Sequence, residues 1–561
     1  MKQDIALAVQ AACADVFGVD DQTVVLTRPD EQFGDYATNV AMRLAGALHK
    51  NPREVANALA DKLRAVLCDT ASEVSVAGPG FLNIRLSDAA LARAASEEPA
   101  ASFAGKTVLV EYSDPNPFKP LHAGHLYTTL VGDMIARLVE RAGAKTVRLN
   151  YGGDVGLHVG KSMWAIVKHL GGEHPEALTQ IAEADRPSWL GARYVEGNNA
   201  YEDNESAKQE IIAVNKRVYQ LHADNDHTSP FAHIYWTCRQ WSYDYFATLY
   251  TQLQVTPFDR FIPESDVTLL GVATVREQLA KGVYKKSGDA VVFEGEPFGL
   301  HTRVFINSEG LPTYETKDVG LSLTKWKEYP NFDKSIIITA NEQAQYMQVV
   351  IASIRQFAPE PAEHTVHLTH GVVKLQGGVK MSSRKGNIVS ALDILAAARV
   401  AGAETGTNPS EETVLAAVKY ALAKNRMGGD IVYDPKESIA LEGNSGPYLQ
   451  YAHARARSIL AKAEGMDMAI TPDQAFQPAE RLLLRKVAEF AETVERATEE
   501  YMPHYICTYL YELAQVFNHF YEHNRVIGSE RQLQRLRLVE LYADTLKKGL
   551  GLLGITAPDA M

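Results

Sequence analysis

Cysteine is scarce in this chain: its 561 residues include only four, Cys13, Cys68, Cys238 and Cys507. They lie far apart and form no CxxC pair, which argues against a structural zinc site and for a reducing compartment. The sequence also lacks an apolar run of 18 residues and a basic-then-apolar leader at Met1. Neither a membrane span nor a signal peptide is therefore expected, and the protein is predicted to be cytoplasmic with no membrane contact.

An excess of basic charge is absent as well, since the formal net charge is −13. That balance argues weakly against a nucleic-acid partner, although local basic surface decides such binding in a large protein. Apolar residues make up 46% of the chain and charged residues 22%, as in ordinary globular proteins. The length predicts several domains, each with its own core.

The stretch EYSDPNPFKPLHAGHLYTTLVGDMIARL runs from Glu111 to Leu138. A β-branched run, Thr107 to Val110, predicts a buried strand before it, and apolar residues of helical period predict a helix over residues 123–142. His122 and His125 lie three apart at the start of that helix, where free N–H groups and the helix dipole favour anions. The pattern indicates a triphosphate site; two surface histidines near a turn are the alternative.

A second stretch, GGVKMSSRKGN over residues 377–387, places cationic side chains around two hydroxyls between glycines. Glycine leaves the backbone free to approach a ligand, and lysine and arginine supply charge to phosphate oxygens. A lone cluster of this kind is usually a solvated loop. Its occurrence together with HAGH favours a nucleotide site instead.

HAGH (residues 122–125) and KMSSR (residues 380–384) resemble the HIGH and KMSKS signatures of class I aminoacyl-tRNA synthetases. The surrounding residues resemble the arginyl-tRNA synthetase family over nearly the whole chain. The resemblance implies ATP-dependent activation of L-arginine and its transfer to tRNA(Arg). ATP is the expected substrate and Mg²⁺ the metal ion that accompanies it, and the enzyme is expected to be a monomer. A class I enzyme for lysine or glutamate, or a non-catalytic tRNA-binding or nucleotide-binding relative, remains an alternative.

The fold class implied is multidomain α/β, with three parts. Residues 1–88 are expected to form an N-terminal α/β domain that contacts tRNA, and residues 106–390 a Rossmann-like catalytic domain with an insertion at about 173–297. Residues 391–561 are expected to form an all-helical anticodon-binding domain. Within the first part, the patterns predict helices over 4–17, 37–48 and 52–67 and strands over 23–27, 73–76 and 81–86.

The resemblance assigns the nucleotide and amino-acid sites residue by residue. His122, His125 and Lys380 are the expected catalytic residues. ATP is expected to contact Lys119, His122, Gly124, His125, Lys380, Met381, Ser382 and Ser383. Arginine is expected to contact Glu111, Asn116, Tyr314, Asp318 and Gln343. A guanidinium is planar and always charged, so it favours buried carboxylates such as Glu111 and Asp318. No protein-bound metal is expected.

Four residues outside the catalytic region are expected to contact tRNA. Phe81 and Asn83, in the strand GPGFLNIRL, match positions that touch the tRNA elbow in the family. Tyr451 and Arg455 lie four apart on a predicted helix, a spacing suited to stacking on a base and contacting phosphate. Core packing of the two aromatic side chains and a solvated arginine are the plain alternatives.

Three residues depart from the family pattern. Ala123 replaces the isoleucine of HIGH, a change that a helix tolerates. Tyr127 stands where many relatives carry arginine, which removes one phosphate or tRNA contact. Asp114 replaces a common serine and adds a carboxylate near the expected position of the substrate amine.

Overall fold

The computed structural model describes residues 1–20, 22–376, 390–404, 406, 408–463 and 475–561. Four of the expected ATP-site residues, Lys380, Met381, Ser382 and Ser383, lie outside the described residues. In the described part of the chain, no helix is both long and apolar enough to cross a membrane.

The N-terminal unit packs helices against a three-stranded antiparallel sheet of order β1-β3-β2. Its elements are α1 Lys2–Phe17, β1 Tyr36–Thr38, α2 Val40–Leu48, α3 Pro52–Val66, β2 Ala71–Ala77, β3 Phe81–Leu86 and α4 Asp88–Ala94. The three predicted helices and the strands over 73–76 and 81–86 are confirmed.

One predicted strand and the start of one predicted helix in this unit are wrong. Residues 23–27 form no strand; only Thr27 pairs, through an isolated bridge to Ala37. Residues 36–38 form β1 rather than the start of a helix, because Tyr36 and Thr38 pair with β3 at Ile84 and Leu82. This pairing buries all three β1 side chains, and α2 begins only after Asn39.

The middle of the chain alternates strands and helices around a larger sheet. Its elements are β4 Thr107–Glu111, α5 Ala123–Arg141, β5 Lys145–Gly152, α6 Leu157–His169, α7 Arg186–Asp203, α8 Glu205–Ala223, α9 Pro230–Gln252, β6 Arg260–Pro263, α10 Glu264–Ala280, β7 Lys285–Ser287, β8 Ala290–Phe293, β9 Arg303–Ile306, α11 Tyr314–Glu328, β10 Lys334–Ala340, α12 Ala344–Arg355, α13 Pro359–Glu363, β11 Thr365–His370 and β12 Val373–Leu375.

Five of these strands form one parallel sheet in the order β11-β10-β4-β5-β6. The chain builds outward from β4 through β5 to β6 and then returns to the other side of β4 with β10. The strand order therefore reverses between β4 and β10, and ligands of such sheets bind in the crevice at the carboxyl ends of those strands. The sequence did not predict β6, which lies inside the expected insertion.

Helix α5 follows β4 and lies close against it. A Cβ atom on Gly132 would stand 2.3 Å from the Cβ of Tyr112, so only glycine permits this approach. Most of α5 is buried, since it also packs against helices of the C-terminal part. This central helix begins at the HAGH motif, so its packing fixes the position of both histidines.

The C-terminal part is mainly helical, as predicted. Its elements are α14 Ala391–Glu404, α15 Glu411–Ala423, β13 Ile431–Tyr433, α16 Pro435–Ile439, α17 Gly446–Ala461, α18 Pro478–Val487, α19 Phe490–Glu499, α20 His504–His523 and α21 Gln532–Leu552. The expectation of an all-helical region over 391–561 needs one correction, because β13 pairs in parallel with β12.

The N-terminal unit docks on the C-terminal helices through buried ion pairs. Arg481 of α18 donates to Asp35 at 2.6 Å, and both side chains are less than a tenth exposed. Glu492 of α19 accepts from Arg28 and, at 2.8 Å, from the hydroxyl of Tyr36. One hydrophobic core includes side chains of this interface, of α5 and of the C-terminal helices.

Candidate active site

His122 and His125 stack at the first turn of α5, with ring centroids 3.8 Å apart. His122 is the N-cap: its Nδ1 accepts from the backbone N–H groups of Gly124 at 3.1 Å and His125 at 3.3 Å. In return, Nδ1 of His125 accepts from the backbone N–H of His122 at 3.4 Å. This is the reciprocal arrangement of a capping box, with histidines in place of the usual residues.

The caps determine which ring nitrogen can donate. Because both Nδ1 atoms accept, the proton of each neutral ring lies on Nε2. Burial lowers the pKa of His122 to about 4, and burial together with His122 and Lys119 lowers the pKa of His125 well below its usual value. At neutral pH the pair is therefore uncharged and presents two N–H donors, which suit phosphate oxygens.

Lys119 supplies positive charge beside the histidines. Burial lowers the pKa of its ammonium to about 8, against the opposing effect of Glu264. The group is therefore still mostly protonated at pH 7, and it lies 5.1 Å from the centre of the Tyr194 ring. Its environment fits the expected contact with ATP.

Two glycines keep the space around this turn open. A Cβ on Gly124 would lie 2.9 Å from the His122 ring, so glycine is needed for the cap. A Cβ on Gly153, after β5, would lie 2.1 Å from the side-chain oxygen of Asn116. Asn116 thus lies between the HAGH loop and the end of β5, at the crevice of the sheet.

Glu111 lies at the carboxyl end of β4 and is not a free carboxylate. Its Oε2 accepts from Nζ of Lys325 at 2.7 Å, and both side chains are 3–4% exposed. Lys325 also donates to Oγ of Ser335 at 3.3 Å. This pair joins β4, α11 and β10 beneath the crevice.

Asp318 on α11 is half-buried near Glu111. Burial, followed by the carboxylates of Glu111 and Glu264, raises the pKa of Asp318 well above its usual value. Asp114 behaves in the same way, because burial and the nearby Glu111 and Asp318 raise the pKa of its carboxyl as well. The crevice therefore gathers acidic groups whose charged forms are disfavoured in the free protein and are stabilised when a cation such as an arginine side chain binds.

Tyr314 and Gln343 are exposed at this edge of the sheet. The Tyr314 hydroxyl lies 3.5 Å from Nδ1 of His158, and the His158 Nε2 lies 2.7 Å from the carbonyl oxygen of Gly153. Gln343 follows β10 as the residue before α12. In the described part of the chain, no hydrogen bond joins Gln343 to the other expected pocket residues.

Family models match the chain over three consecutive segments. Residues 2–86 match the arginyl tRNA synthetase N terminal domain, residues 88–429 match the catalytic domain of tRNA synthetases class I (R), and residues 449–561 match the DALR anticodon binding domain. The chain belongs to the arginyl-tRNA synthetase family. The match excludes the class I families for lysine and glutamate that the sequence left open.

Individual arginyl-tRNA synthetases align over most or all of the chain. The arginine–tRNA ligase of Lactobacillus delbrueckii subsp. bulgaricus is 31% identical, with 100% of each chain covered. That of Flavobacterium psychrophilum is 31% identical over 81% of this chain and 80% of its own. The solved arginyl-tRNA synthetase of Thermus thermophilus superposes with a TM-score of 0.79 at 27% identity, covering 100% of both chains.

The expected tRNA-contacting residues of this synthetase differ in exposure. Phe81 at the start of β3 is 41% exposed and Tyr451 on α17 is 46% exposed, so neither is a core residue. Arg455 is half-buried, with its guanidinium 4.6 Å from the centre of the Tyr521 ring. Asn83 is 5% exposed and offers little surface to a partner.

Tyr127 is also buried, at 1% exposure, edge-on to the ring of His370. It is therefore a core residue of α5 in this synthetase and not a phosphate contact.

Sequence reasoning missed three charged residues beneath the crevice. Lys325 pairs with Glu111, and Lys317 donates to Glu264 in a second buried ion pair. One signal was available: Asp318 and Lys325 are seven residues apart, a spacing that places them on one face if the segment is helical, as it is in α11. Within the described residues, no cluster of three or more His, Cys, Asp or Glu side chains has the arrangement of a metal site.

Proposed function

We propose that this protein is an active arginine–tRNA ligase. It activates L-arginine with ATP and transfers the arginyl group to tRNA(Arg). The observation that carries the proposal is the pairing, at one sheet crevice, of two neutral histidine donors with a set of buried carboxylates. The histidines suit a triphosphate and the carboxylates suit a guanidinium.

In the first step, the arginine carboxylate attacks the α-phosphorus of ATP in line. A new C–O–P linkage forms, the bond to the β-phosphate breaks, and arginyl-adenylate and pyrophosphate result. Such a step needs positioning and charge stabilisation rather than a protein nucleophile. The Nε2–H groups of His122 and His125 donate to phosphate oxygens as negative charge develops, and the Gly124 turn leaves room for them.

The negative charge of the phosphates is neutralised by the ammonium groups of Lys119 and Lys380. On the strength of the sequence resemblance, Met381, Ser382 and Ser383 complete the ATP site beside Lys380. Mg²⁺ supplied with ATP would add further positive charge to that of these two lysine side chains and so favour departure of pyrophosphate.

Arginine lies in the crevice between β4 and β10. Glu111, Asn116, Tyr314, Asp318 and Gln343 form its pocket in this proposal. The raised pKa of Asp318 supports that role, because mutual repulsion of the acids is relieved when a cation enters. The Lys317 ammonium lies 4.3 Å from the centre of the Tyr314 ring, so Tyr314 borders the same charged region.

In the second step, the 2′-hydroxyl of the terminal tRNA adenosine attacks the activated carbonyl, releases AMP and forms the arginyl ester. Phe81 contacts the tRNA elbow, while Asn83 in the same strand is buried and does not itself reach the tRNA, and Tyr451 with Arg455 contacts the anticodon end. The working division of the chain is residues 1–88, 106–390 with the 173–297 insertion, and 391–561. We expect a monomer that acts in the cytoplasm.

An aminoacylation assay tests this proposal. The purified chain, ATP, Mg²⁺ and a bacterial tRNA mixture are incubated with labelled arginine, and with labelled lysine and glutamate as matched controls. Acid-precipitable label is expected with arginine alone. Label transferred from lysine or glutamate, or no transfer from arginine, would overturn the assignment.

A further inference from the structure

A network of buried polar side chains connects the expected insertion with the first turn of α5. Its members are Asn150 of β5, Tyr250 of α9, Ser113 after β4 and Thr129 of α5, and each is at most 7% exposed. The Tyr250 hydroxyl lies 3.1 Å from Nδ2 of Asn150 and 2.8 Å from Oγ of Ser113. Oγ1 of Thr129 lies 2.7 Å from that Oγ and 2.6 Å from the carbonyl oxygen of His125. The network therefore ends at the peptide group of one of the two expected catalytic histidines.

The direction of these hydrogen bonds follows from the single hydrogen that each hydroxyl carries. A carbonyl oxygen can only accept, so Thr129 donates to His125 and accepts from Ser113. Ser113 has no hydrogen left for Tyr250, so it accepts from the Tyr250 hydroxyl, whose pKa is raised by burial and which therefore keeps its hydrogen at neutral pH. Tyr250 in turn accepts from the amide of Asn150. All the bonds point toward His125, and hydrogen bonds aligned in this way polarise and strengthen one another.

The bond from Thr129 to its own helix is common in kind, but it is anchored from outside the helix. Threonine hydroxyls often bond to the carbonyl four residues earlier, as Thr498 of α19 does to Val494 at 2.8 Å. The Thr129 hydroxyl is also held by Ser113, which has a φ angle of 75°. Residues other than glycine rarely adopt that left-handed conformation, and such outliers cluster at functional sites. The backbone after β4 therefore adopts an unfavourable conformation where the network passes through it.

A shift of the His125 peptide would move both histidine donors. The His125 ring stacks on the His122 ring, and its Nδ1 accepts from the His122 backbone N–H at 3.4 Å. Groups that stabilise a transition state must be held close to their productive positions, and a misplacement of about 1 Å can cost about 10²-fold in rate. The network fixes this peptide from β4, β5 and α9 together.

We propose that Tyr250 is a positioning residue for adenylate formation, which holds the His125 donor in place through Ser113 and Thr129. Tyr250 is buried near the end of α9 and acts through the network rather than on a substrate. The expected insertion, to which α9 belongs, thereby takes part in the chemistry of the ATP site. This inference rests on the proposed arginine ligase function.

Tyr250→Phe tests the first hydroxyl of the network. The variant keeps the ring, which packs 5.1 Å from the centre of the Phe258 ring, and removes only the hydroxyl. In ATP–pyrophosphate exchange with arginine and tRNA, its kcat should fall by about 10- to 100-fold, while the KM values for arginine and ATP stay near wild type. Tyr284→Phe is the matched control, because the buried Tyr284 hydroxyl also bonds to a serine, Ser353, at 3.2 Å. That control should keep the wild-type kcat.

Thr129→Val removes the last hydroxyl and keeps the shape of the side chain. Its kcat should fall in the same way as that of Tyr250→Phe, and Thr129→Ser, which restores the hydroxyl, should recover most of the loss. Thr498→Val, which removes the corresponding bond in α19, is the control and should keep the wild-type kcat.

A double variant shows whether the two hydroxyls act through one network. Tyr250→Phe combined with Thr129→Val should be no slower than the slower single variant, to within about twofold, because the first loss already interrupts the network. Effects that multiply would overturn the inference, since they would mean that the two residues act separately. A wild-type kcat in Tyr250→Phe, an equal loss in Tyr284→Phe, or a change confined to the KM for arginine would also overturn it. Absence of arginine-dependent exchange in the wild-type protein would instead contradict the proposed function.

Discussion

The imidazole rings of His122 and His125 stack 3.8 Å apart, and each Nδ1 caps the backbone of the other. The capping role and the donor role therefore use different atoms of the same ring. His122→Asn keeps an N-cap oxygen but removes the Nε2–H. Its melting temperature should stay near wild type, while adenylate formation should slow by about 10²–10³-fold, the scale for one lost transition-state donor. Near-normal single-turnover activation would contradict the donor role.

Asp318 should destabilise the free protein. Its pKa in the folded state is raised above the ordinary 3.8. Its contribution to stability is therefore present below that pH and lost as pH rises through the raised pKa. Asp318→Asn should raise the melting temperature of the ligand-free protein at neutral and higher pH and reduce the stabilisation that arginine provides. A lower melting temperature of this variant at pH 8 would contradict the repulsion among the pocket carboxylates.

Breaking the buried Glu264–Lys317 pair should destabilise the fold. Both side chains are at most 6% exposed. Lys317→Met leaves a buried carboxylate unpaired, so the free energy of unfolding should fall by about 3–5 kcal/mol in a urea titration. Lys281→Met, which breaks an exposed pair with Glu277, is the control and should change it by less than about 1 kcal/mol. Equal effects of the two variants would mean that Glu264 is solvated.

Phe81 should contribute to tRNA binding through its exposed ring. Phe81→Ala should weaken the binding of tRNA by about 1–3 kcal/mol, the range for the loss of one base–aromatic stack. Leu7→Ala, at a 55% exposed position on α1, is the matched control and should have no effect. The KM values for arginine and ATP should not change in either variant. An unchanged KM for tRNA in Phe81→Ala would remove this residue from the interface.

The sequence predicts elements whose pattern is local and strong. Helix α5 and strand β4 follow from apolar period and composition, and the site histidines follow from their spacing. Strand β6 has only four residues, and it pairs with a distant part of the chain. Its first residue, Arg260, pairs with Leu149 of β5, which lies 111 residues earlier. The Glu111–Lys325 pair joins residues 214 apart and the Glu264–Lys317 pair residues 53 apart. No local pattern carries such contacts, so the charge balance of the pocket required the three-dimensional structure.

The most direct measurement of the central claim is ATP–pyrophosphate exchange with the purified protein, run with each amino acid in the presence and absence of tRNA. The C-terminal helices pack against α5, which begins at the expected ATP site, and the N-terminal unit shares one hydrophobic core with them, so we expect tRNA binding to favour the active arrangement. We expect exchange with arginine alone among the amino acids, weak without tRNA and strong with tRNA(Arg). Exchange with another amino acid, or none with arginine when tRNA(Arg) is present, would contradict the account; strong exchange without tRNA would contradict the coupling.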